Sequence, residues 1–364
     1  MAKKIIIAGG GTGGHIFPAI AIANALKRMR PETQILFVGA KGKMEMEKVP
    51  QAGYQIEGLD IAGFNRSSLI KNIGLPLKLI KSFFQVRRIM NSFSPDAVIG
   101  VGGYSSFPVL RYAQAKGKPT FIHESNSFAG KSNILLGKKA TRVFVATDGM
   151  EKFFPAGRIV VSGNPVRPVI ARVGSIGKEK AAAFFGLRAE KKILFIVGGS
   201  LGARSINEAI ANGLDQLNSA GLQIIWQTGK TDAAKWKERA ANHPDVKVMD
   251  FITEMENAYA AADIVISRAG AMAIAELCVV RKPVLFVPYP FAAEDHQTVN
   301  AVTLVKKDAA IMVNDGEAME KLVPAVLSLA ANEEMQKRLT ENIGRYAVMN
   351  ADEKIAAEIL KTIA

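Results

Sequence analysis

Residues 3–26 read KKIIIAGGGTGGHIFPAIAIANAL and residues 191–214 read KKILFIVGGSLGARSINEAIANGL. Each begins with a lysine pair, runs through a short apolar stretch, turns on glycines and continues with helical periodicity. A glycine turn between strand and helix lets the backbone approach a ligand and aims the helix's unpaired N–H groups at an anion. Because the same unit opens both halves, the chain is expected to fold as two Rossmann-like domains. Ligands in such domains sit at the carboxyl ends of the strands, so the cleft between the halves is the expected active site.

Outward from these units, short β-branched runs alternate with amphipathic segments, at 35–38, 97–101, 120–123 and 143–146, then 222–226, 246–249, 264–267, 283–287 and 310–313. Strands spaced by helix-length segments imply parallel sheets covered on both faces. The periodicity breaks over Ser162–Pro168, where two prolines and a glycine fall together. That break divides the chain into expected domains of 1–164 and 165–345.

With 364 residues, 49% hydrophobic and 22% charged, the composition is globular and the length suits two domains. A single cysteine, Cys278, excludes an intramolecular disulfide framework and fits a reducing compartment. The four histidines, at 15, 123, 243 and 296, are scattered and give no metal cluster. The apolar run after Lys4 stops at Gly9, short of a signal peptide, and no stretch approaches the roughly 18 apolar residues of a membrane span. A cytoplasmic protein, soluble or peripheral, is expected. The net charge of +14 lies wholly in residues 1–164, which hold 23 Lys and Arg against 9 Asp and Glu; the remainder balances at 24 each. The first half should therefore meet an anionic partner.

The first glycine loop alone suits a dinucleotide, a phosphate or mere tight packing. A dehydrogenase also needs an acid closing the second strand, and here Ile35–Val38 runs into Gly39-Ala40-Lys41, which counts against NAD. His15 lies where the loop becomes helix, near a positive helix end that favours the neutral imidazole. A neutral imidazole accepts the proton of an attacking sugar hydroxyl; a histidine there also commonly bonds its own loop. In the second half, Gly270 precedes a small-residue helix, Ala271–Cys278, whose N–H groups suit a diphosphate. Glu276 lies in that helix among Ile274, Ala275, Leu277, Cys278 and Val279, and a carboxylate in such company needs a partner.

Seven blocks, GGGTGGH (9–15), VGGYSSFP (101–108), HESN (123–126), GNPVR (163–167), GGSLGA (198–203), SRAGAMAIAEL (267–277) and EDHQTVNA (294–301), occur in the order and at about the spacing of the MurG family. The chain resembles that family from Lys3 to its terminal helix. The resemblance implies an α/β GT-B fold, two Rossmann-like domains with parallel sheets, the last segment, about 346–364, packing back on the first. It implies an inverting transferase, needing no metal or cofactor, that moves GlcNAc from UDP-GlcNAc to the C4 hydroxyl of MurNAc in lipid I, giving lipid II at the cytoplasmic face of the membrane. His15 would be its general base or an acceptor contact. Thr12, Gly13, Gly14 and Asn126 would reach the donor from the first domain. In the second, Glu276 would bind the ribose, the helix start over Ala271, Met272, Ala273, Ile274 and Ala275 the diphosphate together with Ser200 and Arg167, the Ile252 backbone the uracil, and Gln297 the sugar hydroxyls. Gly13, Gly14, Gly102, Gly103 and Tyr104 would cradle the acceptor's pyrophosphate. Ala273 departs from the family, which often has a hydroxyl residue there. Cell-wall synthesis proteins are further expected partners.

From Ile61 to Pro95 there is no acidic residue, yet Arg66, Lys71, Lys78, Lys81, Arg87 and Arg88 are interleaved with Leu69, Ile70, Ile73, Leu75, Leu77, Leu79, Ile80, Phe83, Phe84, Val86 and Ile89. Such a segment suits an anionic bilayer surface, and half of its apolar positions would equally suit a core helix. Nucleic acid is disfavoured by the few aromatics and the lack of a recognition motif. Two alternatives stand beside the transferase reading: an enzyme glycosylating another lipid such as diacylglycerol, and a nucleotide-dependent membrane-binding module without turnover.

Overall fold

The computed structural model describes residues 2–63 and 75–363. It resolves into two units, Met1–Val166 with Asn350–Ala364, and Arg167–Met349. In the first, strands β1 (Lys4–Ala8), β2 (Gln34–Ala40), β3 (Gln55–Leu59), β4 (Ala97–Gly100), β5 (Thr120–Glu124), β6 (Arg142–Val145) and β7 (Ile159–Val161) form one parallel sheet in the order β3-β2-β1-β4-β5-β6-β7. In the second, β8 (Ile193–Val197), β9 (Gln223–Gln227), β10 (Val246–Met249), β11 (Ile264–Ser267), β12 (Val284–Phe286) and β13 (Ile311–Met312) follow the order β10-β9-β8-β11-β12-β13. Both are doubly wound, with the order reversing beside the first strand of each sheet. Helix α1 (Gly13–Met29) follows β1, α2 (Glu45–Gln51) follows β2, and α3 (Leu75–Phe93) follows β3.

Two strands, β3 and β7, were not expected from the sequence. Both are edge strands: β3 reads QIEGL with Glu57 exposed, and β7 is only three residues long. An edge strand buries one face at most, so it lacks the continuous apolar run that marks the inner strands.

The helix Ala351–Thr362 packs in the first unit, where Ile355, Ala356, Ile359 and Ile363 join Ile5, Ile7, Ile22 and Leu26 in one cluster. Asp352 pairs with Arg28 at 2.8 Å and Glu358 with Arg142 at 3.0 Å. Burying an isoleucine side chain contributes about 1.5–3 kcal/mol, so Ile355 and Ile359, with Ile363 just past its end, make this helix core rather than tail. It begins later than 346; Tyr346 belongs to the second unit, where the Lys307 ammonium lies 4.4 Å from its ring centre.

Helix α3 divides the expected basic-apolar segment. Val86 and Ile89 are buried in the core, whereas Leu79, Ile80 and Phe84 are exposed, Phe84 by 68%. Lys81 pairs with Asp60 at 3.0 Å, and Lys41 meets the same carboxylate at 2.9 Å. These hydrogen bonds, Lys41 first, hold the Asp60 carboxyl at about 2. Arg66, Leu69, Ile70, Lys71 and Ile73 lie outside the described residues. Among the described residues no helix is long and apolar enough to cross a membrane.

Candidate active site

In each unit the strand ends at the point where the sheet order reverses carry the glycine turns, which is where doubly wound folds bind ligands. In the first unit these are the turns after β1 and β4. Gly10 N–H donates to the Gly102 carbonyl at 3.3 Å, and a Cβ on Gly103 would overlap the Gly10 carbonyl, so the loops 9–14 and 102–103 touch backbone to backbone. Gly102 and Gly103 have φ of +96° and +84°, and a Cβ on Gly102 would lie 2.7 Å from the His15 ring. Thr12 caps α1 in an extended conformation, with its hydroxyl making no cap bond. Helix geometry leaves the Gly13 and Gly14 amides without intrahelical acceptors. The Tyr104 ring lies near this loop, 4.0 Å from where a Cβ on Gly11 would stand and 2.9 Å from one on Gly63. Burial, and then the Glu45 charge, raises the Tyr104 phenol above its ordinary value, so it stays a donor.

His15 Nδ1 lies 3.0 Å from the Gly10 carbonyl oxygen. A carbonyl only accepts, so Nδ1 carries a proton, and in the neutral imidazole the lone pair is then at Nε2. His123, on β5, is buried, and burial, then the cost of a second positive ring beside His15, pushes it down to about 4. Gly163 and Asn164 face its ring, yet neither ring nitrogen meets hydrogen-bond geometry among the described residues. It stays neutral behind His15. One residue on, the buried Glu124 carboxylate accepts from Asn126 N (3.1 Å), Asn126 Nδ2 (3.2 Å), Gly130 N (3.1 Å) and Asn133 Nδ2 (2.8 Å), so it sets the direction of Asn126.

In the second unit, Gly270 caps the helix Ala271–Val280, whose first turn over Ala271, Met272, Ala273 and Ile274 is only partly buried. Glu276 is buried and is gripped by Arg167, Nε to Oε1 at 2.7 Å and Nη2 to Oε2 at 2.9 Å. Tyr259, pushed well above the ordinary phenol value by burial and then by the Glu276 charge, donates to Oε2 at 3.4 Å. The partner that Glu276 needed is thus a bidentate arginine, a charge-assisted pair about twice as strong as a neutral bond. Ser200 lies on an exposed turn beside Leu201, which is 77% exposed. The Ile252 N–H is spent on Gln227 Oε1 at 3.0 Å. Gln297 Oε1 accepts from Tyr289 N at 3.0 Å, tying its helix to the loop after β12. Glu294 and Asp295, which in sequence look like first-turn acids of the following helix, precede that helix. Both adopt left-handed φ, +49° and +52°, ahead of a helix that starts at His296.

Two residues unmarked by the sequence reading organise these turns. Arg268 reaches the Val287 and Pro288 carbonyls at 3.0 and 3.1 Å, Asp315 at 2.5 Å and Ser205 Oγ at 3.2 Å, joining the ends of β11 and β12 to the helix behind the GGSLGA turn. Glu45, from α2, enters the first glycine loop and accepts from the Gly11 amide. An acid therefore does approach this loop, but from α2 and not from the end of β2 where a ribose-reading acid of a dehydrogenase would be sought, and it binds backbone. Its only sequence signal was that it is one of two glutamates, with Glu47, in the first turn of a helix.

Two doubly wound units with glycine turns at their reversal points are the architecture of the GT-B fold, and the family models make the class a glycosyltransferase. Residues 5–145 match the glycosyltransferase family 28 N-terminal domain and residues 193–358 its C-terminal domain. A UDP-N-acetylglucosamine--N-acetylmuramyl-(pentapeptide) pyrophosphoryl-undecaprenol N-acetylglucosamine transferase from Bacteroides fragilis is 52% identical over 99% of this chain and 96% of its own length. The protein of the same name from Parabacteroides distasonis is 51% identical over 99% and 98%. The crystal structure of Acinetobacter baumannii MurG superposes with a TM-score of 0.81 at 30% identity, covering 99% of both chains. The chain belongs to the MurG family of family 28 glycosyltransferases.

Proposed function

We infer that this protein transfers GlcNAc from UDP-GlcNAc to the C4 hydroxyl of MurNAc in lipid I, producing lipid II. The observation that carries the reading is made in each unit by itself: the first has a helix start beside a histidine whose Nδ1 is held by a carbonyl, and the second a helix start beside a buried carboxylate. The relatives' shared name, along essentially the whole chain, supports the same substrates over a different lipid acceptor.

In this reading UDP-GlcNAc binds the second unit. Glu276 accepts from the ribose hydroxyls, and the Ile252 carbonyl rather than its N–H meets the uracil edge. The amides of Ala271–Ala275, with Ser200 and Arg167, stabilise the diphosphate; Arg167 uses two of its five donors on Glu276 and keeps others for phosphate. Backbone amides take the place of a hydroxyl at Ala273. Gln297 reads the sugar hydroxyls, and Thr12 and Asn126 approach the donor from the first unit. The lipid I pyrophosphate lies on Gly13, Gly14, Gly102, Gly103 and Tyr104. The C4 oxygen attacks C1, the bond from C1 to the β-phosphate oxygen breaks, and the hydroxyl proton passes to His15 Nε2. UDP leaves with its charge met by preorganised donors. The test is transfer of labelled GlcNAc to a short-chain lipid I analogue, with UDP-glucose and UDP-galactose as rival donors. Turnover selective for UDP-GlcNAc is expected; UDP binding without transfer to lipid I would reject the acceptor.

The enzyme acts as a peripheral protein on the anionic cytoplasmic face of the membrane, where cell-wall synthesis proteins are its neighbours. Support comes from α3, whose exposed Leu79, Ile80 and Phe84 stand among Lys78, Arg87 and Arg88. Each basic residue near an anionic surface contributes about 1 kcal/mol. Charge reversal at Lys78, Arg87 and Arg88 is expected to release the protein from phosphatidylglycerol vesicles in a flotation assay, while UDP affinity is kept. Binding equal to that of the parent would remove α3 from the membrane contact. Lys81 is left intact in that variant because it is committed to Asp60.

A further inference from the structure

The peptide unit joining Gly10 to Gly11 is held from both sides. Its N–H, on Gly11, donates to Glu45 Oε2 at 2.8 Å. Its carbonyl, on Gly10, accepts from His15 Nδ1 at 3.0 Å. One planar amide therefore connects a carboxylate to an imidazole. Glu45 is 1% exposed, and its other oxygen accepts from Ala40 N–H at 3.0 Å, at the end of β2. A Cβ on Gly10 would overlap the carboxylate, and one on Gly39 would lie 2.5 Å from the Glu45 Cγ, so the side chain sits in a notch that glycines leave open.

Gly10 and Gly11 have φ of +147° and +90°, a path that glycine follows easily and leaves as easily. A glycine loop holds one peptide orientation only if something outside it fixes that orientation. Burying a carboxylate is costly unless it is hydrogen-bonded, and this one takes two backbone N–H groups from different segments. No side chain other than an acceptor of that reach would hold the Gly11 amide and the end of β2 at once.

We propose that Glu45 is a positioning residue for His15, acting through the Gly10–Gly11 peptide. It fixes the plane of that amide, the amide's carbonyl holds the Nδ1 proton, and Nε2 is thereby kept as the proton acceptor. In the Ser-His-Asp arrangement the carboxylate touches the imidazole itself. Here a peptide intervenes, which selects the tautomer while holding the negative charge one amide away from an incoming pyrophosphate. The same geometry stabilises the imidazolium as the proton arrives, because the amide is already polarised toward it. The proposal rests on the reading of His15 as general base, and its test separates the two.

The experiment is ¹⁵N NMR of the His15 side chain in the full-length protein, alongside kinetics of Glu45→Gln. In the parent the Nδ1–H tautomer is expected; the Nε2–H tautomer would overturn the proposal with no variant needed. Glutamine preserves the volume but replaces one acceptor oxygen by an NH2 group that cannot accept from a backbone N–H. A mixed tautomer is expected, with kcat lowered roughly ten- to a hundredfold, the range for groups that orient a histidine through a hydrogen bond. UDP affinity should stay unchanged, and Glu45→Gln should cost nothing further in a His15→Ala background. An equal loss of kcat in that background would make Glu45 merely structural and overturn the proposal. A shifted tautomer with full kcat would uphold the clamp and reject His15 as the base.

Discussion

The His15→Ala enzyme turns over roughly a hundred- to ten-thousandfold more slowly than the parent, the usual contribution of a positioned general base, while its UDP affinity is preserved. Three observations lead to this expectation. The ring stands at the start of α1, beside amides that lack intrahelical acceptors. Its Nδ1 is committed to the Gly10 carbonyl, which fixes the lone pair at Nε2. Its ring lies against Gly102, so the turn that holds it also belongs to the proposed acceptor cradle. Nucleotide contacts, in contrast, are proposed for the second unit. Single-turnover rates and UDP titration check the split. Loss of UDP binding with an unchanged chemical step would transfer His15 to the donor site, and a rise confined to the lipid I KM would make it an acceptor contact.

Glu276→Ala is expected to raise the UDP-GlcNAc KM by roughly ten- to a hundredfold, since a hydrogen bond to a charged group contributes about 1.5–3 kcal/mol. The structure adds a condition. Glu276 is also the anchor of Arg167, and removing one member of a buried pair strands the other. The Arg167 side chain is 34% exposed, so water recovers part of that loss and the fold should survive. Two effects then add in the donor KM: the ribose loses its acceptor, and Arg167 loses the geometry from which it meets the diphosphate. Comparing UDP-GlcNAc with a 2′,3′-dideoxy donor separates them. If Glu276 reads the ribose, the variant should discriminate little between the two donors while the parent discriminates strongly. A KM unchanged by the substitution would remove Glu276 from the ribose and the Glu276–Arg167 pair from donor binding altogether.

The sequence was most readable where the physics is local. The turns at 9–14 and 198–203 announce themselves because strand, glycines and helix follow one another within two dozen residues, and the structure places both at the point where the sheet order reverses. Inner strands such as β4 and β8 were plain because they are apolar on both faces. The edge strands β3 and β7 were not, because half their surface is open to water. Glu45 and Arg268 escaped notice for a different reason. Their partners, Gly11 and Asp315, lie 34 and 47 residues away, and no periodicity encodes a contact that only the folded sheet creates. In α3 the apolar positions were visible but not their assignment: Val86 went to the core and Phe84 to the surface, two residues apart on one helix.

The first unit is completed only by the helix Ala351–Thr362, which lies beyond the whole of the second unit in the chain. During synthesis the apolar face formed by Ile22 and Leu26 of α1 must therefore wait, uncovered, until Ile355 and Ile359 have left the ribosome. The second unit, continuous from Arg167 to Met349, has no such debt to later residues and can fold first, although it is made second. The unit proposed to meet the membrane is thus the last to become whole.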